Sequence, residues 1–233
     1  GISPAPARAS SAGPKAPLGV PEPSAPPSHL PSRSSPGRPA NPAFPAKTVG
    51  EALEAIRGNP GKFNHASVGS GSPHHLFMEA LKAELGLSIQ HVPYKGTQAA
   101  IPDLLTGGVQ MMCADATVAV PNIQAGKVTP LGTSSAKPTT LVPGVPPIAA
   151  TVKGFDWEAW QGIVAPAATP PAIVAKLAAE LQRIQSTPEF REQLRKFGME
   201  SAPPHTPAEF AAIVAAEQPR WQKAVKDSGA KVD

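Results

Sequence analysis

Cysteine is almost absent from this chain: Cys113 is the single one among 233 residues, so no disulfide can form within it. Its apolar surroundings predict a buried, inert thiol. Tyrosine is as rare, with Tyr94 alone, and aromatics make up 5% of the residues. No run of about 18 apolar residues occurs, which excludes a helical membrane span. Basic excess is missing wherever a core could form. The net charge is +4, but Arg8, Lys15, Arg33 and Arg38 against Glu22 place +3 of it in the first 46 residues. From the totals of 21 and 17, that leaves 17 basic and 16 acidic groups in residues 47–233. No basic stripe with interleaved aromatics is present, so no nucleic-acid partner is expected.

Proline, by contrast, is abundant, and 13 of its 31 copies fall in residues 1–46. Ser, Ala, Gly and Arg fill most of the rest of that stretch. It has no apolar periodicity to bury, so residues 1–40 are expected to lack stable secondary structure.

From Lys47 the pattern is that of a folded α/β chain. Thr48 to Glu51 reads as a capping box before a helix with Val49, Leu53 and Ile56 on one face. "KFNHAS" reads as a strand and "SVGSGS" as a small-residue loop. Ser72-Pro73 is an N-cap and first-turn pair for a helix carrying Leu76, Phe77, Leu81 and Leu85. "SIQHVPYK" is a second strand, followed by a helix that Pro102 should shorten. "VQMMCAD", a helix near 117–125 and "VTPLGTS" continue the alternation of a mostly parallel sheet covered by helices. "WEAWQGIVAP" is a late strand. Three amphipathic helices follow, the second burying Phe190, Leu194 and Phe197, the third opening on a capping box from Thr206 to Glu209. These three helices need a sheet that the C-terminal segment does not itself supply.

In open α/β sheets, ligands bind beyond the carboxyl ends of the strands, where helix N-termini present free amides. Here those ends carry Ser67, Gly69, Ser70 and Ser72, then Tyr94, Gly96 and Thr97, then Asp115 and Thr117. All are candidate ligand-binding residues. Ser and Gly at a helix start suit a carboxylate, and Asp115 suits a ligand amine, hydroxyl or water. The plainer alternative is that Ser72 and Asp115 only cap helices and that the glycines only turn the chain. His74 and His75 are adjacent and face different ways on a helix, which argues against a metal pair. No nucleophile elbow, P-loop or acid–base pair stands out, so neither an enzyme nor a cofactor is expected.

"VPYKG", "DLLTGGVQMM", "PNIQAGKVTPLGTSSAK", "PGVPPIA", "GFDWEAWQGIVAPAATP" and "FGME", in this order and spacing from about Asn41 onward, resemble the substrate-binding proteins of tripartite tricarboxylate transporters, the Bug family. The resemblance implies an α/β fold of the periplasmic binding protein type II class, two lobes around a cleft. It implies capture of a small carboxylate (a di- or tricarboxylate, an amino acid or an aromatic acid) and delivery to membrane permease subunits, by a monomer in the periplasm. No signal peptide is read within these residues, so that location rests on the resemblance. Residues 62–153 would form the second lobe, and 41–61 with 154–233 the remainder of the first. The loops "SVGSGS", "YKGT" and "DAT" would line the second lobe's half of the cleft.

The first lobe's N-terminal half has no counterpart in residues 1–40. The Pro-, Ala-, Gly-, Ser- and Arg-rich composition there is what GC-rich DNA encodes in a wrong frame, so an out-of-frame origin is the expectation. The other reading is a proline-rich interaction module fused to an α/β fragment that has no transport ligand.

Overall fold

The computed structural model describes residues 32–34, 37–40 and 44–230. Its strands are β1 (Ser32–Ser34), β2 (Gly37–Ala40), β3 (Asn64–Ser67), β4 (Gln90–Pro93), β5 (Met111–Met112), β6 (Thr129–Thr133), β7 (Ala159–Gln161) and β8 (Glu200–Ser201). Five of them form one sheet in the order β4-β3-β5-β2-β6, and the other three form a second in the order β7-β1-β8. β3 runs parallel to β4 and β5, whereas β2 runs antiparallel to both β5 and β6.

Strand alternation divides the larger sheet's side chains between its two faces. Ala66 and Met112, paired in register, point to one face, and His65 and Met111 to the other. Helices α1 (Val49–Gly58) and α2 (Pro73–Leu85) contribute Val49, Leu53, Ile56, Phe77 and Leu81 to a core with Met111. Helices α3 (Thr97–Thr106) and α4 (Ala116–Gln124) contribute Ala100, Leu104 and Ala119 to a core with Ala66 and Met112. Cys113 is buried, as its apolar neighbours predict.

The smaller sheet carries α5 (Pro171–Gln185), α6 (Pro188–Lys196) and α7 (Pro207–Ser228). The last of these returns to the larger sheet's side. Trp221 packs 5.7 Å from Phe77 of α2 and 5.1 Å from Trp157, ring centre to ring centre. The apolar stripe of α5 stays partly uncovered among the described residues, with Ile173 50% and Leu177 45% exposed.

Several expectations are corrected. Residues 32–34 and 37–40 form strands, so the absence of secondary structure does not extend to residue 40; residues 1–31 lie outside the described residues. Helix α1, grouped with residues 154–233 by the sequence reading, shares one core with Met111 and Leu131 of the larger sheet and with Phe155, Trp157 and Ala224 of that segment, and a Cβ on Gly132 of β6 would come 3.0 Å from Val49 Cγ2. Pro102 lies inside α3 without ending it. The bond it removes would have ended on the carbonyl of Gln98, an exposed residue that water can serve. Phe197, expected to be buried, is 67% exposed. It sits at the C-cap of α6, one position past the helix's last residue and three past Leu194, the one residue that the helix buries. The Thr206–Glu209 capping box forms in full. The earlier one forms by half, since Glu51 accepts from the Lys47 amide at 2.7 Å rather than from Thr48.

One packing contact allows a direct test. A Cβ on Gly162 would lie 2.6 Å from Cζ of Phe210, which is only 1% exposed and edge-packed against Trp160. Gly162→Ala is expected to cost about 1–3 kcal/mol through this overpacking. Urea denaturation checks it.

Candidate ligand site at three helix N-termini

The carboxyl ends of β3, β4 and β5 lead into α2, α3 and α4, so three positive helix ends converge on one rim. A short chain of side chains ties them together. Thr97 Oγ1, at the start of α3, donates to Asp115 Oδ2 at 3.1 Å. His74 Nε2, in the first turn of α2, lies 3.2 Å from Asp115 Oδ1. An ionised carboxylate only accepts, so the hydrogen sits on His74 Nε2. Asp115 occupies the N-cap position of α4 without making a side-chain cap bond. Its role is therefore cross-linking rather than capping. The bond from His74 holds its carboxyl below the ordinary range, helped by the bond from Thr97, while burial opposes the shift. The carboxylate remains 44% exposed and keeps lone pairs for a further donor.

The β3–α2 loop is held from within. Ser72 caps α2: its Oγ accepts from the His75 amide at 3.3 Å and spends its only hydrogen on Gly69 O at 2.7 Å. Ser67 Oγ accepts from the Gly69 amide at 3.1 Å and meets His91 Nε2 at 2.6 Å. Ser67 is completely buried. Both serines thus differ from the expectation of direct ligand donors, because their hydroxyls and places are already used by the loop. Gly69 and Gly71 do turn the chain, with φ of 128° and 76°. Ser70 is exposed and forms no hydrogen bond among the described residues.

On the neighbouring loop, Gly96 begins α3 with φ 103°, and Thr97 is nearly buried. Thr117 is exposed at the start of α4, and Gly198, in the turn after α6, packs onto it. Tyr94 hydrogen-bonds Asp103 Oδ2 at 2.5 Å, and its own amide donates to Ser67 O at 2.9 Å. The phenol is pushed up to about 12, by burial first and then by the Asp103 bond. Because Tyr94 is the chain's single tyrosine, phenolate absorbance reports it alone. The titration midpoint is expected near 12, and Asp103→Asn should bring it down toward the ordinary value of 10. A midpoint at 10 in the unsubstituted chain would show that the bond does not form.

Sequence reasoning missed His74 and His91 as partners in this region. The usable signal was the adjacent pair itself. Neighbouring helix positions point about 100° apart, so one imidazole of the pair reaches the rim and the other the sheet.

Two helix-covered sheets, the larger presenting helix N-termini at its strand ends, fit the type II periplasmic binding class, which is the fold of the solved relatives described below. The family described as "Tripartite tricarboxylate transporter family receptor" matches residues 32–230. The chain belongs to that family, and the match begins nine residues earlier than the motifs around Asn41 indicate. It is 36% identical over 181 residues to a UPF0065 protein from the tcbD-tcbE intergenic region of a Pseudomonas species, covering 77% of this chain and 54% of that protein. Protein BugT of Bordetella pertussis is 27% identical over 195 residues, 82% of this chain and 59% of its own. The chain thus spans little more than half the length of these curated relatives. Among solved structures, MatC of Rhodopseudomonas palustris with bound malate superposes with a TM-score of 0.72 at 30% identity, covering 90% of this chain and 73% of that one. An R. palustris protein with adipate gives 0.74 at 28% identity, covering 88% and 68%.

Proposed function

We propose that the chain is the ligand-capturing part of an extracytoplasmic solute-binding protein for a small carboxylate, and that it works with the permease subunits of a tripartite tricarboxylate transporter. The observation that carries this reading is the convergence of three helix N-termini joined through Asp115. Each such terminus favours an anion by roughly 0.3–1 kcal/mol, and first-turn amides lack acceptors within their own helix. The relatives solved with malate and with adipate share the fold and support a carboxylate as the ligand class. The exposed residues Ser70 and Thr117, with the helix-start amides of α3 and α4, are the groups we assign to contact it. Asp115 is itself anionic, so it meets a ligand hydroxyl or a bridging water rather than a carboxylate.

Calorimetric titration with malate, adipate, succinate and citrate tests this. Binding of at least one acid is expected, with modest affinity, since charge screened by water contributes little. Asp115→Ala should weaken it about tenfold or more, the effect of losing one charge-assisted hydrogen bond. Chemical turnover of a bound acid, or indifference to the Asp115 substitution, would overturn the assignment.

A further inference from the structure

Beneath the β3–α2 loop lies a group of titratable side chains that ligand capture does not use. His65 of β3, His75 of α2 and His91 of β4 stack face to face. Ring centres are 3.9 Å apart for His75 and His91 and 5.0 Å for His65 and His91, with planes within 23°. His65 is fully buried and His75 only 4% exposed. Under them Glu79 Oε1 takes Lys82 Nζ at 2.6 Å and faces His75 Nε2 at 3.5 Å and His65 Nε2 at 3.4 Å.

The stack reaches the loop at two points. The Gly71 amide donates to His75 Nδ1 at 3.1 Å, and His91 Nε2 meets Ser67 Oγ at 2.6 Å. An Nδ1 that accepts an amide carries no hydrogen, so the hydrogen of His75 sits on Nε2, toward Glu79. Lys82, Glu79 and His75 therefore form one ordered line that ends on a loop amide. Small residues alone would leave this loop free to take many shapes, since glycine imposes little on its own backbone. With the amides of Gly69 and Gly71 both engaged, the residue left exposed at the tip is Ser70.

We propose that His75 and His91 are positioning residues that hold the Ser67–Ser72 loop in the shape that receives the ligand, acting through Gly71 and Ser67 without touching the ligand. The inference rests on the carboxylate-binding reading of the same rim. It differs from a packing role because it requires a hydrogen-bond acceptor at one ring position, not merely a flat ring in the stack.

The test uses the full chain. In isotope-labelled wild-type protein, scalar coupling across the hydrogen bond from the Gly71 amide nitrogen to His75 Nδ1 is expected. Its absence overturns the proposal without any substitution. His75→Asn keeps an acceptor close to the Nδ1 position, and His75→Phe keeps the ring but no acceptor. Gly71 amide exchange should rise about tenfold or more in the Phe variant, the effect of losing one buried hydrogen bond, and stay near wild type in the Asn variant. Affinity for malate or adipate should fall in the Phe variant and recover in the Asn variant. His91→Phe should loosen the Gly69 amide in the same way. Equal affinities in both His75 variants, or unchanged Gly71 exchange in His75→Phe, would refute a positioning role. A wild-type chain that binds neither acid removes the carboxylate reading and with it the ligand half of this inference. The coupling and exchange data then still decide whether the imidazoles hold the loop.

Discussion

Glu79→Ala should remove about 2–4 kcal/mol of folding stability, because breaking a mostly buried ion pair leaves its partner uncompensated. The side chains of Glu79 and Lys82 are 13% and 19% exposed. Without the carboxylate, Lys82 keeps a poorly hydrated charge, and the Nε2 atoms of His65 and His75 lose the carboxylate they face. Burial works against the ionised Glu79, but the bonds from His65, His75 and Lys82 outweigh it and hold its carboxyl far below the ordinary 4.5. The native state therefore keeps Glu79 ionised where the unfolded chain protonates it. Its contribution is complete above pH 4.5 and is lost as pH falls below that value.

His91 adds to the loss over an earlier window. Burial first, and then the neighbouring His75 and His65, lower it from 6.5 to about 4. Between those values the unfolded chain takes up a proton that the native state refuses, so stability falls as pH drops from 6.5 toward 4. Melting temperature should thus be flat near neutrality, decline from pH 6.5, and steepen below 4.5. In Glu79→Ala the steeper lower part should largely vanish. A melting temperature independent of pH across this range would show that the buried stack does not form in solution.

Gly198→Ala is expected to cost about 2–3 kcal/mol, from a left-handed backbone joined to a clash that no rotamer relieves. Gly198 has φ 66°, and a Cβ there would stand 2.9 Å from the Thr117 amide nitrogen and 3.3 Å from Ala116 Cβ. The nearest obstacle is backbone, so relief requires moving the turn after α6 away from the start of α4. That turn belongs to the smaller sheet's segment and α4 to the larger sheet, so the substitution also opens the seam beside the rim. Denaturant titration and carboxylate affinity should both weaken. Unchanged stability would mean that the two segments do not meet at Thr117.

Where local chemistry decides the outcome, the sequence was readable. The Ser72-Pro73 start of α2, the αL glycine Gly86 at its end and the Thr206–Glu209 box all form where their residue types place them. The alternation of β3, β4 and β5 with helices was legible for the same reason. β1 and β2 were not, because segments of Ser, Arg, Gly and Pro have no strand pattern of their own. Their extended state is imposed by partners far along the chain. The partner of α1 was equally hidden: an apolar stripe says that a helix is covered, not by which sheet. At the rim, the strand-end rule points to the three loops that Thr97, His74 and Asp115 tie together, but not to the inward turn of Ser67. Its burial follows from the last pleat of β3, and its bond to His91 from the register with β4.

The place of β2 bears on how the chain is made. This strand lies between β5 and β6 and runs against both, although it is synthesised well before either. Until residues beyond 110 emerge it has no neighbours in its sheet, and its backbone donors and acceptors remain open to any other strand. Such long-range closure is slow, and unpaired edges exposed during the wait favour aggregation. The larger sheet is thus completed late, by an early strand taking the slot between two late ones.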